Sequence, residues 1–146
     1  MHDMQMTSYL SFNGDCETAF KFYEKALGGR MIMMMRYGES PMAAQTPAES
    51  RDRIMHARLA VGDGFLMGGD APAQMSEPMR GFCVSLNVEE PAKAERIFAT
   101  LAENGTVRMP IQETFWAQRF GMLTDQFGTP WMVNCERAGQ RQEAAA

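Results

Sequence analysis

Two stretches in the second half of the chain hold most of the groups that could do chemistry: Gln112-Glu113-Thr114-Phe115-Trp116-Ala117-Gln118-Arg119-Phe120-Gly121 and Asp125-Gln126-Phe127-Gly128-Thr129-Pro130-Trp131-Met132-Val133-Asn134. Both tryptophans and three of the nine phenylalanines fall inside them, next to amide and carboxylate side chains. Polar groups set beside large rings in a connecting segment are how the wall of a small-molecule pocket is built. Gln112, Glu113, Thr114, Trp116 and Phe120 are therefore candidate ligand contacts, with core packing of the rings as the plain alternative.

Upstream, His2 and His56 are the two imidazoles of the chain. His56 alternates with Arg58 along one strand face, opposite Met55, Ala57 and Leu59, so a contact to a ligand and a satisfied structural role both stay open. Cys16 could act as a nucleophile at a helix start, where the dipole favours thiolate. Its place in an apolar stripe instead predicts an inert core thiol. Fifteen methionines fill out the chain; Met31 to Met35 read as core filler, while Met67, Met109, Met122 and Met132 lie on strands that could line a site.

These residues need a scaffold, and 146 residues suffice for one compact domain without disulfides or metal. Fourteen basic against eighteen acidic side chains give a net charge of −4, which attracts neither nucleic acid nor anionic lipid. No run is long and apolar enough to span a bilayer, and the first ten residues lack a signal-peptide pattern, which predicts a cytoplasmic protein. Cys16, Cys83 and Cys135 are odd in number and widely spaced, as reduced cysteines are.

Taken in order, Thr7 to Phe12 reads as a strand stopped by Asn13-Gly14, with Asp15 placed to cap a helix. Apolar residues at 16, 19, 20, 23 and 27 form one buried helical stripe, and Gly28-Gly29 ends it. Arg30 to Tyr37 predicts a buried strand. The segment 38–53 shows no period and is expected to be a lid or a disordered connector. Ile54 to Val61 and Phe65 to Gly69, joined by Gly62-Asp63-Gly64, form a hairpin. After a linker over 73–80 the pattern repeats: a strand over Gly81 to Val88, a helix opened by Pro91 with Ala94, Ile97, Phe98 and Leu101 buried, then strands Thr106 to Met109, Phe120 to Thr124 and Trp131 to Cys135. The result is an α+β domain of two tandem βαβββ modules, about 7–70 and 81–135 within residues 1–138, with a disordered tail over 139–146.

Phe22-Tyr23-Glu24-Lys25-Ala26-Leu27-Gly28-Gly29 and Asp125-Gln126-Phe127-Gly128, set in two such modules, resemble the vicinal oxygen chelate superfamily of glyoxalase I and bleomycin-resistance proteins. Tyr9-Leu10-Ser11-Phe12-Asn13-Gly14, His56-Ala57, Gln112-Glu113-Thr114-Phe115-Trp116-Ala117 and Trp131-Met132-Val133-Asn134 are similar to its PhnB-like branch. The resemblance implies mixed sheets curled into a cup, helices outside, and a ligand site inside the cup that takes in His56, Arg58, Met132 and Asn134 with the residues above. It also implies that metal-dependent relatives would place ligands near Ser8, Gly68, Cys83 or Phe82, and Met132. None of these is a histidine or carboxylate, so no metal or other cofactor is expected.

Three functions follow as alternatives. One is a metal-free small-molecule-binding protein, with no catalytic residue assigned. Another is a lyase, isomerase or dioxygenase whose metal ligands have moved to residues such as His56, Asp70, Glu113 or Asp125. The last, a methyltransferase, is set aside, because no glycine-rich strand-to-helix turn for S-adenosylmethionine is visible and the two modules use up the chain. A phosphonate ligand would want an arginine pair, for which Arg58 and Arg119 are candidates. Open sheet edges predict a homodimer.

Overall fold

The computed structural model describes residues 3–137, so the expected tail over 139–146, and His2, lie outside the described residues. The chain divides after Pro78 into two compact units.

The first unit runs β1 (Ser8–Phe12), α1 (Cys16–Leu27), β2 (Arg30–Arg36), β3 (Ile54–Val61) and β4 (Gly64–Asp70). Its sheet has the order β1-β4-β3-β2, with β1 parallel to β4 and the other pairs antiparallel. Cys16, Ala19, Phe20, Tyr23 and Leu27 are the buried face of α1, the stripe the spacing predicts. They pack on the sheet side that carries Leu10, Phe12, Ala57, Leu59 and Leu66, and each large apolar side chain buried there contributes about 1.5–3 kcal/mol. Gly68 shows how close the helix sits: a Cβ there would lie 2.8 Å from Leu10 O and 2.8 Å from Phe20 Cε1.

The second unit repeats this plan with β5 (Val84–Asn87), α2 (Pro91–Leu101), β6 (Thr106–Gln112), β7 (Ala117–Thr124) and β8 (Pro130–Glu136), in the order β5-β8-β7-β6. Ala94, Ile97, Phe98 and Leu101 form the buried face of α2. On the strands, Leu123, Trp131, Val133 and Cys135 are fully buried. Two βαβββ modules are thus present, as the sequence predicts.

Several local expectations change. Asp15 makes no side-chain capping bond; the start of α1 is held by Asp70, whose Oδ1 accepts from the amides of Gly14 (2.8 Å) and Cys16 (3.1 Å) while Oδ2 accepts from Ile54 N (2.8 Å). β2 is not buried: it is an edge strand, Ile32 and Met33 are exposed, and Met31, Met34 and Met35 are half-buried, so this methionine run is not core filler. The segment 38–53 is not structureless. It contains short 3₁₀ turns at Tyr37–Glu39, Ala43–Gln45 and Ala48–Ser50, tied by Gly38 N to Arg51 O (2.9 Å) and Arg51 Nη1 to Ala43 O (2.8 Å). β5 is shorter than expected, whereas β6 and β7 are longer and leave only residues 113–116 as a tight connection. Pro110 is accommodated in β6 because this strand is an edge, with register irregularities on either side of Met109. No helix among the described residues is long and apolar enough to cross a membrane.

Candidate functional site

Strand alternation divides every side chain between the helix side and the opposite, helix-free side of its sheet. In the first module, Leu10, Ala57, Leu59 and Leu66 take the helix side, which turns Tyr9, His56, Arg58, Phe65 and Met67 to the other. His56 and Arg58 are both half-buried. The His56 ring lies 5.9 Å from that of Tyr9 with an interplanar angle of 23°, a stacked pair. Tyr9 donates to Met55 O at 3.3 Å, and its oxygen lies 2.7 Å from where a side chain on Gly69 would begin, so the ring crosses the strand through the space that this glycine leaves. Burial raises the phenol above its ordinary pKa, and Cys16, Tyr37 and Asp70 push the same way, so Tyr9 is a neutral donor at physiological pH.

Arg58 lies with its guanidinium carbon 4.1 Å from the centre of the Phe65 ring. Its Nε is buried without a hydrogen-bond partner, and no carboxylate pairs with it among the described residues. Cross-strand neighbours place Met33 on one side and Met67 on the other, with Tyr9 beyond Met67.

In the second module, Gly121 faces the helix, since a Cβ there would lie 2.6 Å from Phe98 Cε2 on α2. Phe120 and Met122 therefore occupy the helix-free side. Pairing sets Gln112, Phe120, Asn134 and Asn87 in one row across four strands, and Met109, Met122, Met132 and Ser85 in the next. Asn134 Nδ2 donates to Asn87 Oδ1 at 3.1 Å, while Asn134 Oδ1 is a buried acceptor with no partner. Trp116 leans edge-on against Phe120 at 5.4 Å and against Phe115 at 4.8 Å. Gln112, Trp116, Phe120, Met132 and Asn134 thus belong to one face, and His56 and Arg58 to one face of the other module.

Glu113 and Thr114 do different work. Thr114 Oγ1 accepts from the amides of Trp116 (3.3 Å) and Ala117 (3.0 Å), closing the connection, and Glu113 pairs with Arg137 at 2.9 Å on the surface. Arg119 is on the helix side, 3.6 Å from Glu95 of α2, and is no companion for Arg58. Cys16 is fully buried and its thiol pKa is pushed well up, by burial first and then by Asp70 and Glu17, so it offers no nucleophile.

The metal positions implied by the resemblance also shift. Ser8 and Gly68 share the face of Leu10, toward α1, so the helix-free positions beside them are Tyr9 and Met67. In the second module the corresponding pair is Ser85 and Met132. A phenol, a thioether and a hydroxyl are weak ligands, and this donor set does not fit a divalent ion of the glyoxalase kind. Relocated ligands fare no better. Asp70 is taken by three amides; Asp125 accepts from Phe127 N (2.8 Å), Thr129 N (3.0 Å) and Trp131 Nε1 (2.8 Å). Among the described residues no three His, Cys, Asp or Glu side chains come together as a metal site would require.

Tyr9, Phe65 and Asn87 were missed in the sequence. Tyr9 carried a usable signal, because it and Ser11 alternate with the apolar Leu10 and Phe12. Phe65 and Asn87 become visible only once the register is known.

Comparison with known proteins gives a consistent picture. A family model described as the Glyoxalase/Bleomycin resistance protein/Dioxygenase superfamily matches residues 5–133. Protein YjdN of Escherichia coli strain K12 is 36% identical over 139 residues, covering 90% of this chain and 95% of YjdN. The crystal structure of protein PA1353 from Pseudomonas aeruginosa is 49% identical with a TM-score of 0.84, covering 92% of this chain and 98% of that one. A Bacillus cereus structure described as a putative 3-demethylubiquinone-9 3-methyltransferase, PhnB protein, is 21% identical with a TM-score of 0.74, covering 90% and 99% of the two chains, and shares the fold.

Proposed function

Because the chain belongs to the glyoxalase/bleomycin resistance protein/dioxygenase superfamily, we propose that it binds a small organic molecule on the helix-free faces of its sheets, without a metal ion, as a cytoplasmic homodimer. The observation that carries this reading is the Tyr9–His56 stack beside Arg58, on a face whose paired positions Tyr9 and Met67 offer a phenol and a thioether where the superfamily's metal chemistry would need imidazole or carboxylate ligands. Rings and thioethers supply contact area for a ligand body, and a few polar groups orient it. The second module's own helix-free face carries the unpartnered Asn134 Oδ1, an acceptor for a ligand N–H or O–H group, with Trp116 and Phe120 on the same face. The three free cysteines fit a reducing compartment. A methyltransferase role, which the Bacillus cereus structure's description suggests for that protein, finds no support in two βαβββ modules.

Elemental analysis and native mass spectrometry of the purified protein test the reading together. The expected result is substoichiometric zinc, nickel and iron, with a small-molecule adduct retained or restored on titration. About one transition metal per chain would overturn it in favour of a metal-dependent lyase, isomerase or dioxygenase.

A further inference from the structure

We infer that the ligand held by the first module is an organic oxyanion, a carboxylate or phosphonate with an apolar body, and that Arg58 is the residue that selects it. This deepens the small-molecule reading above and rests on it.

A half-buried guanidinium has lost part of its hydration, and that loss is made good in most proteins by a carboxylate or by backbone carbonyls. The other half-buried arginines of this module, Arg36 and Arg53, follow the rule, and so does the exposed Arg51. Arg36 donates to both Glu17 carboxylate oxygens at 2.9 and 3.0 Å, Arg51 to Ala43 O at 2.8 Å, and Arg53 to Asn13 Oδ1 at 3.0 Å and to Ala71 O. Arg58 breaks it: its Nε is buried and unpartnered, and its face meets the Phe65 ring instead of an anion. Stacking on Phe65 fixes the plane of the guanidinium, and its terminal Nη1 and Nη2 donate to no protein group among the described residues, which leaves that pair for end-on bidentate capture of a planar or tetrahedral oxyanion. Met33 and Met67 flank it across the strands and the Tyr9–His56 stack lies beside them, so a bound anion would carry its apolar body over thioethers and rings.

Calorimetric titration of the full chain with benzoate, benzylphosphonate and the neutral benzamide tests this. One of the anions should bind at least about tenfold more tightly than benzamide, the worth of one charge-assisted hydrogen bond, and its affinity should fall as salt is raised. Which anion wins assigns the head group. Arg58→Gln should erase the preference while melting as the parent does, and Arg58→Lys should keep part of it. Benzamide binding as tightly as both anions, or a preference untouched in Arg58→Gln, overturns the oxyanion assignment and leaves the small-molecule reading standing. No binding by any of the three overturns both.

Discussion

Asp70 and Asp125 are the two buried carboxylates of the described chain, and each spends its oxygens on the fold. Asp70 gathers three amides from two segments, so Asp70→Ala would strand the start of α1 and the start of β3 together. Charge-assisted hydrogen bonds contribute about 1.5–3 kcal/mol each, and thermal melts of this variant should show a loss on the order of 3 kcal/mol. A loss under about 1 kcal/mol would mean that water replaces the carboxylate easily. The thiols sort by the same logic. Cys16 and Cys135 are fully buried and Cys83 is not, so a thiol reagent should label Cys83 rapidly in the native state and all three only after unfolding. Rapid native labelling of Cys16 would contradict its burial. The role of Asp125 as a turn residue was legible from its spacing to Gly128, since turn chemistry is local. That of Asp70 was not, because its partners Gly14 and Cys16 lie 56 and 54 residues away.

At the level of elements, the two helices were legible to within a residue or so, since a stripe of apolar side chains at helical spacing names both the helix and its buried face. Strands were legible in kind but not in burial. A run such as Met31-Ile32-Met33-Met34-Met35 looks the same at a sheet edge as in its middle, and only the strand order shows that β2 is an edge. Facing was the other hidden quantity: a one-residue slip places Ser8 instead of Tyr9 on the helix-free side and changes the candidate metal set entirely. The glycines Gly68 and Gly121 now test the assignment of faces. Each sits under its helix with no room for a methyl group, so Gly68→Ala and Gly121→Ala should each cost about 1–3 kcal/mol by overpacking. Gly62→Ala serves as a comparison: a Cβ there meets nothing within 4 Å, and the cost comes from its φ of 53° alone. If Gly68→Ala melts with the parent, α1 does not press on β4 as described. The aromatic pair separates in the same way. Trp131 is fully buried and bonded to Asp125, so Trp131→Ala should cost about 3–5 kcal/mol, while half-buried Trp116 should cost much less on truncation and lower ligand affinity instead.

Each unit of the molecule ends its sheet in edge strands, β1 and β2 in one and β5 and β6 in the other. Edge strands present unpaired amides and carbonyls, and proteins that remain monomeric usually blunt them with charge or proline. Here the blunting is partial. β6 carries Pro110 and Arg108, yet Val107 is 46% exposed and Met109 39%, and on β2 Ile32 is 43% exposed and Met33 42%. Exposed apolar side chains along open edges favour association with a second copy, and closed two-fold pairing is the commonest way to satisfy them. Light scattering at micromolar concentration should therefore report a particle of about twice the 16.4 kDa chain mass. Because association stabilises the folded state by mass action, the melting temperature should also rise with protein concentration. Lysines placed at Ile32 and Val107 provide the control: on an edge used for pairing they should shift the particle toward the monomer without unfolding it, since neither side chain is part of the buried core. A wild-type particle of one chain mass, with a melting temperature indifferent to concentration, would show that these edges stay open in water and that the homodimer expectation fails.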